Sequence, residues 1–400
     1  MDEFAFFATA PKATTDLLAR ELASFGAHEI GEQPAGVAFK GSLEVAYRAC
    51  LESRIANRVL LSLASFGAST TDELYEQVKS IDWNRHVDAG GTIAVDANVS
   101  SSQISHSHYA ALRIKDAIVD TFFEAKGTRP SVDVGQPDVR INAHIHRDNV
   151  ELSIDLSGTS LHQRGYRLDA GQAPLKENLA AAILLRARWP EMAADGRAFV
   201  DPMCGAGTLV LEAAMIAADI APGLGRAYFG FLGWKGHHEA IWSRLCREAE
   251  HRREQGSRRL PLLMGFDRDR RILDDARENA ARLGLEDHVR FAYQDIDAFR
   301  HDFPAQGLIA TNPPYGRRLV ATGELTALYR ALGDVFKTNF QGWRAAVFTQ
   351  DAQLGKAIGI RADRVNTLYN GAIACKLVHF VITEENFFRD DRRPATYRRE

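Results

Sequence analysis

The chain has 400 residues, 46% of them hydrophobic and 25% charged, with a formal net charge of −3. This composition excludes a disordered chain and leaves room for two domains of ordinary size, while the net charge argues against binding driven by phosphate neutralisation alone. Charge breaks every apolar run, as Glu212 and Asp219 do after Thr208, so none reaches the ~20 residues of a membrane span.

Met1-Asp2-Glu3 has no basic region of the kind that opens a secretory leader, and the expected location is cytoplasmic. Residues 1–160 carry 14 basic against 22 acidic side chains, and residues 161–400 carry 35 against 30. Phosphate contacts are therefore expected from local arginine patches. Cys50, Cys204, Cys246 and Cys375 are scattered, with no Cys-x-x-Cys pair. That spacing points to neither disulfides nor zinc. The histidine pairs do not form His-Glu-x-x-His, so no metal site is expected.

In chain order, Phe4 to Ala8 reads as a buried strand. A helix follows from Thr15, with Leu17, Leu18, Leu22 and Phe25 on one face and Gly26 as its stop. Pro34-Ala35-Gly36 marks a turn between strands, Leu43 to Ala56 has helical spacing, and Val59 to Ala64 is a further strand. Asp72 is placed as the cap of a helix running to Ile81, and Thr92 to Val99 alternates as a strand. Tyr109 to Ala125 is the longest helix of this half, with Leu112, Ile118, Val119 and Phe122 on its apolar face and Gly127 ending it. Val139 to His146 and Val150 to Leu156 flank Asp148-Asn149 as a hairpin. The first half is thus α+β.

From Ser160 to Pro174 the chain turns polar and basic, and a bridging helix runs from about Leu175 to Ala187. Short apolar strands then alternate with helical stretches: Phe199–Asp201, Leu262–Asp267, Val289–Tyr293, Leu308–Thr311, Ala345–Thr349 and Lys376–Ile382. That rhythm predicts a doubly wound α/β sheet of Rossmann-like type. Lys376–Ile382, strongly alternating, suits an edge or antiparallel strand.

In such a sheet ligands bind at the carboxyl ends of the strands. The first strand runs into Asp201-Pro-Met-Cys-Gly-Ala-Gly-Thr208, where Gly205 and Gly207 let the backbone approach a ligand and the helix after Thr208 offers amides to an anion. This is neither a nucleotide-triphosphate loop nor the fuller glycine turn of a nicotinamide site. Two glycines alone read better as a plain tight turn. The second strand ends at Asp267, placed to hold a ribose diol, and the third near Asp295, placed to take an adenine amine. The fourth ends in Asn312-Pro-Pro-Tyr315, a stiff turn with free carbonyls. An exocyclic base amine is a poor nucleophile, and acceptors at Asn312 and the Pro313 carbonyl could hold both its hydrogens while Tyr315 stacks on the base.

Residues from about Ser160 to Ile382 resemble the class I methyltransferase domain of bacterial 23S rRNA guanine-N2 methyltransferases of the RlmL type. The resemblance is carried by Ala173-Pro-Leu-Lys-Glu-Asn178, Asp201 to Thr208, Asp219-Ile-Ala-Pro-Gly-Leu224, Gly265-Phe-Asp-Arg-Asp269 and Asn312-Pro-Pro-Tyr-Gly316. The preceding part is similar to that family's ferredoxin-like piece and THUMP RNA-binding module. The resemblance implies S-adenosylmethionine as cofactor, bound by Asp201, Cys204, Gly205, Gly207, Thr208, Asp267, Asp295 and Asn312. It implies Asn312, Pro313 and Tyr315 at the target base, and 23S rRNA as partner. Arg317 departs from the family, which tends to have an acid there.

The implied division is a ferredoxin-like piece over 1–65, a THUMP-like module over 66–157, a linker and bridging helix over 158–187, the methyltransferase domain over 188–388 and a basic tail over 389–400. The fragment from about residue 160 to 400 is expected to bind cofactor unaided. Arg164, Tyr166 and Arg167 are RNA-contact candidates, with interdomain packing as the alternative. Rival functions are methylation of tRNA, of adenine N6 or of a glutamine amide, and a non-catalytic RNA scaffold.

Overall fold

The computed structural model describes residues 3–167, 175–301, 303, 306–314 and 322–388. Tyr315, Arg317 and the 389–400 tail lie outside the described residues. The chain divides into two compact units, Met1–Gln172 with Ile220–Glu254, and Ala173–Asp219 with Gln255–Glu400.

The first unit is built on one eight-stranded sheet. Its strands are β1 (Phe4–Thr9), β2 (His28–Gln33), β3 (Gly36–Gly41), β4 (Arg58–Gly67), β5 (Thr92–Ser100), β6 (Ser131–Val132), β7 (Val139–His146) and β8 (Asn149–Asp155), in the order β2-β3-β1-β4-β8-β7-β5-β6. The ten-residue β4 joins the two parts of this sheet, pairing antiparallel with β1 through Arg58–Leu61 and with β8 through Leu60–Gly67. The expected division at residues 65/66 thus falls inside a strand. The hairpin forms, but its two-residue turn is Arg147-Asp148, both at positive φ, 51° and 60°, and Asn149 already pairs with His146, so the turn lies one residue before the Asp148-Asn149 read from the sequence.

Two local readings need correction. The helix Thr71–Lys79 is capped by Thr70, whose side chain accepts from the Glu73 amide in a reciprocal capping box, so Asp72 lies inside the first turn. In Ser107–Lys126 the buried face is Ala110, Ile114, Ala117, Ile118 and Phe122, and Leu112 is 40% exposed. Helical spacing alone did not phase that face correctly, because small alanines occupy part of it.

Segment Ile220–Glu254 belongs to the first unit although it lies between strands of the second. Phe231 is fully buried with its ring centroid 4.5 Å from that of Tyr47 in a tilted pair, the Tyr47 hydroxyl meets His237 Nδ1 at 3.0 Å, and the Gly223 amide donates to Leu51 O at 2.8 Å. The sequence reading left this segment in the catalytic half.

The second unit carries a seven-stranded sheet: β9 (Ala198–Asp201), β10 (Leu263–Asp267), β11 (Val289–Tyr293), β12 (Gly307–Thr311), β13 (Arg344–Thr349), β14 (Arg364–Asn370) and β15 (Ile373–Val381), in the order β11-β10-β9-β12-β13-β15-β14. β9 to β13 are parallel, and β12 is buried at every residue, as a strand covered on both faces should be. One face packs on Phe266, Phe299, Phe336, Phe340 and Trp343. β15 is antiparallel but internal, and the edge belongs to β14, a polar strand that the sequence reading did not find. From β9 the chain steps outward through β10 to β11, then returns to the other side of β9 for β12. The β9/β12 boundary is therefore the point where strand order reverses, the place where open α/β sheets bind ligands. Among the described residues, no helix is long and apolar enough to cross a membrane.

Candidate active site

Register brings the sequence-predicted acids to one edge. Gly265 of β10 lies beside Asp201 of β9, Asp267 beside Tyr293 of β11, and Ile309 of β12 beside Val200, so the ends of four strands open on the same side.

The glycine turn after β9 is braced from two sides. Gly205, at φ +54°, donates its amide to Asp267 Oδ2 at 3.0 Å, and Asn279 Nδ2 donates to Ala206 O at 3.1 Å. Gly207 caps the helix Thr208–Ala217 at φ +83°, and a Cβ there would meet the Phe291 ring at 2.8 Å. A side chain is excluded twice at that position, by backbone strain and by the ring. Over Gly205 a Cβ would find only Ile272, at 3.7 Å, so one side of the turn stays open. Asn279 and Phe291 were missed from the sequence. A polar residue on the otherwise apolar face of Arg270–Leu283, between Ala276 and Leu283, was the available sign of Asn279.

Asp201 is 2% exposed. Its Oδ1 accepts from the Met203 amide at 3.1 Å, and the Thr311 hydroxyl is its neighbour from β12 without a well-formed hydrogen bond. Burial pushes its carboxyl up to about 7, the Thr311 side chain and Met203 amide opposing the rise and Asp267 adding to it. The folded state therefore resists ionisation of Asp201. This penalty is absent below about pH 4, grows as the pH rises through the interval to about 7, and is constant above it. Asp201→Asn is accordingly expected to stabilise the fold at about pH 8, by up to about 4 kcal/mol, with the gain vanishing towards pH 4. Thermal unfolding at the two pH values measures it; equal gains at both would refute the assignment.

Asp267 accepts one amide on each oxygen, Gly205 on Oδ2 and Asp269 on Oδ1, both at 3.0 Å. Each oxygen keeps a lone pair for a hydroxyl donor. Asp295 caps a short turn through Oδ1, which accepts from the Asp297 amide at 3.2 Å. Cys204 is buried beside Asp201 and Asp267, and burial holds its thiol well above the usual range, so it packs as a neutral side chain. Thr208 is buried at the helix start. Beyond β12, Pro313 is buried and Pro314 exposed. Asn312 Oδ1 is enclosed and, among the described residues, has no hydrogen-bond partner. An enclosed acceptor of this kind is costly unless a ligand satisfies it.

The arginine patch before the second unit is a correction. Arg164 is 1% exposed and donates to Leu161 O at 2.7 Å and Arg54 O at 2.6 Å, while Tyr166 is 2% exposed. Both side chains are buried and offer no surface to RNA. Arg167 alone of the three is partly exposed.

The open glycine turn, the carboxylates at three strand ends and the unpartnered Asn312 acceptor fit a ligand carrying an amino-acid end, a ribose and a base beside a second, amine-bearing ring. Family models match residues 5–60 as an RlmL ferredoxin-like domain, 68–155 as a THUMP domain and 164–379 as an RMKL-like methyltransferase domain. Curated relatives called "Ribosomal RNA large subunit methyltransferase K/L" are 54% identical over 98% of this chain in Syntrophotalea carbinolica and 50% identical over 96% in Methylococcus capsulatus. The chain spans about half the length of these relatives, 55% and 52%. The crystal structure of SMU.472 complexed with SAH is 32% identical with a TM-score of 0.85, and the match covers 95% of this chain and 98% of that one. The fold is that of a class I methyltransferase, and the chain belongs to the RMKL-like methyltransferase-domain family.

Proposed function

We propose that this chain transfers a methyl group from S-adenosylmethionine to the exocyclic N2 amine of a guanine in 23S ribosomal RNA, in the cytoplasm. The observation that carries the reading is the enclosed, unpartnered Asn312 Oδ1 at the end of β12, one strand from Asp201. The names of the curated relatives support the substrate class, and the SAH complex of SMU.472 supports the cofactor.

In this reading the Gly205–Gly207 turn, the Thr208 amide and Asp201 take the amino-acid end of the cofactor, with Cys204 packing beneath. Asp267 accepts from the ribose and Asp295 from the adenine amine. S-adenosylmethionine supplies a methyl already activated by its sulfonium. Asn312 Oδ1 and the Pro313 carbonyl accept the two hydrogens of the base amine and turn its lone pair towards that methyl. Tyr315, outside the described residues, is assigned to stack on the base. The ferredoxin-like and THUMP parts hold the RNA and raise the local concentration of its target.

Asp267→Ala and Asp295→Ala are each expected to weaken cofactor binding by about 1.5–3 kcal/mol, the value of a hydrogen bond to a charged group. Calorimetric titration checks this, and unchanged affinity in both variants would remove the strand-end assignment. For the reaction, purified protein, tritiated cofactor and unmodified 23S rRNA should yield label in N2-methylguanosine. Label in N6-methyladenosine, or in tRNA alone, would replace the substrate named here.

A further inference from the structure

Resting on the RNA substrate read above, we propose that an exposed patch of the second unit grips the RNA strand flanking the target guanine: Arg268 and Arg271 hold its phosphates, and the stacked pair Arg270–Tyr293 receives a neighbouring base.

Charge calls for such a patch. Residues 1–160 carry 22 acidic against 14 basic side chains, and Arg164 and Tyr166, the contacts expected from the sequence, are buried. A strand entering the site needs cations that are exposed and not already paired.

The segment that follows β10 supplies them. Arg268, Arg270 and Arg271 are all exposed, and among the described residues none of their side chains forms an ion pair. Further along the same helix, Arg270–Leu283, the arginines are paired, Arg277 with Asp274 at 2.7 Å and Arg282 with Glu278 at 2.9 Å. The acids interleaved with the exposed three are committed to backbone amides. Asp267 accepts from Gly205 and Asp269, and Asp269 accepts from Arg271 at 2.9 Å. Two arginines open the helix with no acid in its first turn, an arrangement that opposes the helix dipole. Cations set against that field and left without a carboxylate are suited to an anion from outside the chain.

Tyr293 gives the patch its second property. It ends β11 in register with Asp267, it is 50% exposed, and the Arg270 guanidinium lies over its ring at 4.3 Å. Single-stranded RNA is held by phosphate contacts together with stacking of its bases on aromatic rings and guanidinium planes. Asn312 follows β12 on the same sheet edge, two strands from β10, a separation of about 10 Å. Nucleotides adjacent to a base held at Asn312 are within that reach, and enzymes that flip a base out also contact the nucleotides beside it.

The test is filter binding of unmodified 23S rRNA to the full chain over a range of salt, with methyl transfer and titration of S-adenosylhomocysteine alongside. Each phosphate contact contributes about 0.7–0.9 to the slope of log K against log salt concentration. Arg271→Gln is expected to reduce the slope by about that amount and Arg268→Gln/Arg271→Gln by about twice it, while Arg271→Lys keeps it. Tyr293→Ala is expected to weaken RNA binding about 5- to 100-fold at unchanged slope, and Tyr293→Phe to bind as the wild type does. For Arg271→Gln and Tyr293→Ala the KM for RNA should rise while kcat and S-adenosylhomocysteine affinity hold. Unchanged slopes and affinities, beside a wild type that methylates 23S rRNA, would overturn the proposal and leave the function standing. Weakened S-adenosylhomocysteine binding with unchanged RNA binding would also overturn it, by assigning the patch to the cofactor. A wild-type chain that neither binds nor methylates this RNA would overturn the function and the proposal together.

Discussion

Asn312→Ala is expected to lower methyl transfer about 100- to 1,000-fold, the cost of removing one preorganised polar partner from a water-excluded site. Its Oδ1 has no hydrogen-bond partner among the described residues, so truncation breaks no hydrogen bond of that oxygen to them and the fold should keep its stability. Cofactor affinity should change little, because the turn is braced by Asp267 and Asn279 and not by Asn312. RNA affinity, assigned to the first half of the chain, should also persist. Single-turnover transfer from tritiated cofactor, with filter binding of RNA alongside, separates these quantities. Transfer at near wild-type rate would mean that the Asn-Pro-Pro segment is only a turn.

Deleting residues 1–157 is expected to leave a remainder that does not stay soluble as a folded monomer. The sequence suggests a self-sufficient fragment from about residue 160, but Ile220–Glu254 folds with the part removed. Phe231 and Trp242 would lose Tyr47, and Arg244 and Glu248 would lose Glu44 and Arg48. Burial of each large aromatic contributes about 1.5–3 kcal/mol, and uncovering several together makes an adhesive surface. Size-exclusion chromatography and soluble yield measure the effect. Replacing residues 221–253 by a short glycine-serine linker in the same fragment should restore a monomer. A monomeric, cooperatively folding fragment that retains the segment would refute the expectation.

The central parallel strands were legible because a strand buried on both faces must be an unbroken apolar run, as Leu308–Thr311 of β12 is. The acids at their ends were legible with them, since strand ends in a doubly wound sheet share an edge. β14 was not legible: Arg364, Asn366, Thr367 and Asn370 give an edge strand no apolar run, and only β15 holds it in place. Arg164 looked like a surface arginine because sequence carries no record of the two backbone carbonyls that enclose it. The membership of Ile220–Glu254 was invisible for a related reason, as its aromatic residues read as core without saying whose core. The depth at which Asp201 is buried is a property of packing that the sequence does not carry.

The most direct test compares 23S rRNA nucleosides, by mass spectrometry, from cells with the wild-type gene, without it, and complemented with wild type or Asn312→Ala. One N2-methylguanosine should disappear with the gene, return with the wild type and fail to return with Asn312→Ala. An unchanged N2-methylguanosine content in cells lacking the gene would contradict the assigned reaction.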